Sequence, residues 1–174
     1  MKRRLVALVL IGVLLAGVFS SAAAGKVSAA PARSHVAAIH TDAHAAAFDK
    51  TRFVAHLAVA AFLVHYIYKK YKDGKLGRTH IFTDIKAAVA ALLAYHEMKK
   101  AYDIAKTSNS KTLQALVAPI SALTGTLDTM SSKLKHGDTS QISTANSQES
   151  SLQSTSSKNG FGYKDQQPSG FSGF

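Results

Sequence analysis

The chain of 174 residues has no cysteine and no tryptophan, and only three prolines. Without cysteine there is no disulfide framework, no thiolate zinc or iron–sulfur site, no CxxCH haem attachment, no thiol nucleophile and no lipid-modified cysteine anchor. Acidic residues are scarce as well: 10 Asp plus Glu stand against 21 Lys plus Arg, for a formal charge of +11. Glu97 is the only glutamate before the C-terminal tail, too little carboxylate for paired acid–base hydrolysis. GxSxG, HExxH, P-loop and GxGxxG patterns are all missing, and each would be needed for the chemistry it carries. These absences predict a protein that binds or builds rather than one that catalyses.

What is present divides into three parts. The opening over 1–24 places Lys2, Arg3 and Arg4 before an unbroken apolar run from Leu5 to Phe19, then small residues through Ala24. That order is the grammar of a secretory signal peptide. Fifteen apolar residues make about 22 Å of helix against a hydrocarbon core of about 30 Å. Cleavage and export to a secreted or extracytoplasmic location are therefore expected, with a retained membrane anchor as the alternative. The end over 137–174 is dominated by Ser, Gln, Thr and Gly. A disordered tail is expected there, because so few apolar residues cannot offset the entropy of ordering. Its aromatics Phe161, Tyr163, Phe171 and Phe174 would be weak adhesive points.

Between them, after an Ala-rich flexible lead-in over 25–40, the segment 41–136 reads as an all-α domain. Alanine is abundant, no stretch alternates with period two, and apolar residues recur at helical spacing. A first helix from Thr41 or Asp42 to Lys72 carries the stripe Phe53, Leu57, Ala60, Val64, Ile67 and Tyr71, and stops at Asp73-Gly74. A second runs from Thr79 or Thr83 to Thr107 with Ile81, Ile85, Val89 and Leu92 turned to the core. The third covers Lys111 to Lys135 on the heptad Leu113, Leu116, Ile120, Leu123, Leu127, Met130 and Leu134, interrupted by Pro119 and Gly125. Three such helices joined by short polar loops predict an antiparallel bundle. Oligomerisation through these apolar stripes is a further expectation.

Candidate ligand sites follow from charge and from the eight histidines. His40 and His44, one helical turn apart, have the spacing to chelate a divalent metal. On an antiparallel hairpin His56 and His96 fall at the same height, which predicts a facing pair able to hold haem or a metal. Lys69, Lys70, Lys72, Lys75 and Arg78 gather at one helix end, interleaved with Tyr66, Tyr68 and Tyr71. Aromatics beside a lysine cluster suit an anionic membrane surface or cell-wall polymer. Export argues against nucleic acid as the partner. Phe53–Tyr68 is also apolar on every side apart from His56 and His65, so either a central core helix or a membrane-embedded one is expected.

Overall fold

The computed structural model describes residues 34–172, with side chains described over 47–172. The expected signal segment and the first part of the lead-in lie outside the described residues. Helix α1 spans Ser34–Lys72, α2 Ile81–Thr107, α3 Lys111–Gln114, α4 Val117–Leu134 and α5 Ile142–Lys158, and the described residues contain no strand. The all-α expectation holds, with four long helices in place of three.

The ends of the helices follow from backbone chemistry. At the end of α1, Gly74 takes φ +68° and the Lys75 N–H returns to the Lys70 carbonyl, so the stop read from Asp73-Gly74 is a glycine C-cap. Pro119 lies in the first turn of α4, where its missing N–H costs nothing. The expected third helix accordingly divides there, with the Ser110 hydroxyl accepting from the Leu113 N–H to cap the short α3. Gly125 leaves α4 unbroken.

Cross-links between helices give the topology. His56 on α1 meets Glu97 on α2, the Ser131 hydroxyl on α4 donates to the Ala88 carbonyl on α2 at 3.1 Å, and His65 on α1 meets Glu149 on α5. With short connections between them, the long helices run up, down, up, down. The heptad of α3 and α4 is buried throughout, from Leu113 to Leu134, and so are Phe53, Leu57, Ala60, Val64 and Ile67 of α1. Tyr71, the last member of that stripe, is exposed. Each fully buried Leu or Ile contributes about 1.5–3 kcal/mol.

Three expectations are corrected, the last of them in part. The buried face of α2 is Ala87, Ala88, Ala90, Ala91, Ala94, Met98, Ala101 and Ala105, whereas Ile81, Ile85, Val89 and Leu92 are exposed. At 100° per residue the two faces lie about 180° apart. Small side chains let α2 approach the Leu-rich face of α4 closely, and the larger residues are turned outward. The second correction concerns the tail. Residues 142–158 form α5, burying Ile142, Ala145, Glu149, Leu152 and Ser156 at three- and four-residue spacing. Beyond it, Phe161 packs edge-on against Phe53, the Gln166 N–H bonds the Ala58 carbonyl, and Phe171 packs against Phe62 and Tyr66. The tail is thus an ordered strap along α1. The lead-in is corrected in part: 34–40 is helical and belongs to α1.

Candidate functional site

The most unusual surface of the bundle is the outward face of α2. Phe82 is 84% exposed and Ile81 62%, and Ile85, Val89, Leu92 and Leu93 are each more than a third exposed. These six residues occupy one side of the helix over about 18 Å. The stripe gives way to Lys99 and Lys100 towards the other end of α2. The six residues form a contiguous apolar band on the surface of the bundle.

The beginning of this stripe lies at the basic end of the bundle. Lys69, Lys70 and Lys72 form the last turn of α1, where the helix dipole favours positive charge. Lys70 sits 5.3 Å from the Tyr66 ring centroid, while Lys69, Lys72, Lys75 and Arg78 are exposed. Lys75 lies 3.7 Å from Asp73, a loose surface pair. The loop from α4 to α5 adds a cation that local spacing did not connect to this end: Lys135, with His136 beside it, lines one hollow with Arg78 and Ile81. Nothing in the spacing of Lys135 connects it to Arg78; only the up-down-up-down course brings the two loops together. Phe82 and Ile85 were legible as apolar, yet periodicity alone could not say that their face is the outer one.

The loop joining α1 to α2 is held by specific contacts. Asp84, in the first turn of α2, is buried, and its Oδ1 accepts the Gly77 N–H at 2.9 Å. Gly137 packs so close to Arg78 that a Cβ there would lie 3.0 Å from the Arg78 Cα. In the other loop the Ser140 side chain and N–H bond Asp138, and with Lys133 at 3.3 Å they hold that carboxyl at about 2.

The histidines arrange differently from expectation. His56 does not face His96. Its Nδ1 lies 2.6 Å from Glu97 Oε2, while Lys100 holds the other carboxylate oxygen at 2.7 Å. Burial works against the Glu97 charge, but the bonds from Lys100 and His56 outweigh it and lower its pKa. His96 is exposed and lies edge-on to its neighbour Tyr95. The pair expected to ligate haem or a metal is therefore not assembled, because α2 presents its alanine face inward. The expected metal pair His40 and His44 falls in α1, outside the residues whose side chains are described. Among the described residues no group of three or more His, Asp or Glu is placed to hold a metal.

His65 is the anchor of the strap. Its Nε2 lies 2.7 Å from Glu149 Oε2 and its Nδ1 2.8 Å from Asp165 Oδ2. Contact with the buried Glu149 carboxylate is the main reason its pKa rises to about 9. The Tyr163 hydroxyl donates to the other Glu149 oxygen at 3.1 Å, and burial together with that carboxylate pushes the phenol up. The arrangement pairs a buried charge and fastens the strap.

Over 47–72, α1 is long and apolar enough to cross a membrane by length and composition, yet 44% of its most apolar window is buried inside the bundle. No protein-family model, no curated protein and no solved structure matches the chain.

Proposed function

We propose that the protein is an exported, non-enzymatic module that attaches to anionic lipid at the surface of a membrane. The observation that carries this reading is the exposed stripe of α2, from Ile81 and Phe82 to Leu93, starting at the basic end of the bundle. Apolar side chains enter the interfacial region and cations meet headgroup phosphates, the two contributions of a helix lying in a membrane surface. A cell-wall polymer would use the cations but would leave Phe82 and Ile81 in water. Lipid is therefore the better partner of the two. Burial of Phe53, Leu57, Val64 and Ile67 in the bundle supports surface attachment rather than a crossing by α1.

Co-sedimentation with vesicles tests the reading. Vesicles containing phosphatidylglycerol are expected to carry the protein down, and pure phosphatidylcholine vesicles to leave it in solution. Salt weakens the association, and Ile81→Ser with Phe82→Ser removes most of it. Equal association with both vesicle types, or association indifferent to the two serines, would overturn the reading.

A further inference from the structure

The hollow at the basic end has a second property. It is a cavity of about 200 Å³ between the α1–α2 loop and the α4–α5 loop, lined by Arg78, Ile81, Asp84, Lys135, His136 and Gly137. Asp84 is 1% exposed, and although its Oδ1 takes the Gly77 N–H, its Oδ2 has no hydrogen-bond partner. Leaving a buried carboxylate oxygen unbonded is costly, because the group has given up water without replacement. Arg78 and Lys135 share the cavity, but among the described residues no cation bonds Asp84 Oδ2. Asp84 thus brings to the lining a buried carboxyl with one unbonded oxygen, and Arg78 and Lys135, both exposed residues, bring two cations. A ligand that satisfies both carries an N–H-bearing cation and an anion in one small molecule.

The lipid-contact residues frame this cavity, with Ile81 belonging to both. We propose that it seats the headgroup of phosphatidylethanolamine, with the primary ammonium donating to Asp84 Oδ2 and the phosphate held by Arg78 and Lys135. Charge-assisted bonds at both ends give the selectivity. Phosphocholine fails because its methylated nitrogen has no hydrogen to donate. A phosphate alone fails because it leaves Asp84 unsatisfied and adds negative charge beside it. The close approach of Gly137 to Arg78 keeps the two loops, and so the two ends of the seat, in register. The choice of a lipid as the source of the headgroup rests on the membrane reading above.

Titrations of the full chain separate the two claims. Glycerophosphoethanolamine, glycerophosphocholine and inorganic phosphate are followed by the amide resonances of Gly77 and Gly137. The ethanolamine ester is expected to bind about tenfold or more tightly than either of the others. Asp84→Asn keeps an oxygen acceptor for Gly77 yet erases that preference, and the exposed Lys135→Gln weakens the ethanolamine ester without unfolding the chain. No preference for ethanolamine, or a preference that survives in Asp84→Asn, overturns the seat. Adding phosphatidylethanolamine to phosphatidylglycerol vesicles is expected to strengthen binding of the wild type but not of Asp84→Asn. A preference for the soluble ester with no such gain overturns the lipid as its source. Binding to phosphatidylglycerol without any ethanolamine preference overturns the seat and leaves the membrane reading standing. An ethanolamine preference in a chain that binds no vesicle does the reverse.

Discussion

A methyl group on Gly137 would meet the Arg78 backbone, in a residue already at φ +70°. Gly137→Ala is therefore expected to cost about 1–3 kcal/mol, read by chemical denaturation, through left-handed strain and displacement of the Arg78 loop. Gly125 makes the contrast, since it is exposed, lies within α4, and has nothing within 4 Å of an added Cβ. Gly125→Ala is expected to stabilise by about 0.5–1 kcal/mol. His65 supplies a pH signature at the same scale. Its folded pKa of about 9 exceeds the ordinary 6.5, so its ion pairs stabilise fully below pH 6.5. That contribution declines as pH rises and is gone above about 9. Denaturation midpoints of the wild type, compared with His65→Gln, are expected to converge across that window. A constant difference from pH 6 to 9.5 would refute the charged latch.

At the scale of elements, the helices differ in how plainly their residues declare them. The α3–α4 heptad and the α1 stripe were legible because apolar residues recur at three and four, and all of them except Tyr71 are buried. On α2 the same rule selected the wrong face. Ile85, Val89 and Leu92 outweigh alanine in hydrophobicity, but alanine wins where close helix approach sets the geometry, and periodicity carries no information about approach distance. The fourth helix was obscured by composition. Ile142, Ala145 and Leu152 hold the helical spacing, but Glu149 and Ser156 complete the buried row, and a row with two polar members does not read as a core face. Glu149 belongs inside only because His65 and Tyr163 meet it, a pairing across 84 residues and a strap that no local pattern contains. Leu152→Ala tests the packing of this element. As Leu152 is fully buried, the substitution is expected to cost about 2–5 kcal/mol, whereas a tail free in solvent would show no change.

At the scale of the molecule, charge and hydrophobicity are concentrated at one end and one side. The basic end was legible in the run from Lys69 to Arg78; its extension by Lys135 and His136 depended on the topology. Near an anionic surface each cation contributes about 1 kcal/mol. Changing Lys69, Lys70, Lys72 and Lys75 together to Gln is thus expected to weaken vesicle binding by up to about a thousandfold at low salt. The remaining affinity comes from the α2 stripe and depends little on salt. A quadruple variant that binds like the wild type would remove the cations from the account.

The absence of tryptophan allows a single reporter to test membrane contact most directly. Phe82→Trp places an indole at the most exposed point of the stripe, and Tyr102→Trp places one towards the opposite end of α2. On addition of phosphatidylglycerol vesicles, the emission of Trp in the Phe82→Trp protein is expected to shift to the blue as the ring leaves water, while that of the Tyr102→Trp protein stays unchanged. Phosphatidylcholine vesicles are expected to shift neither. A Phe82→Trp spectrum unmoved by anionic vesicles, or moved no more than that of Tyr102→Trp, would contradict attachment through this face.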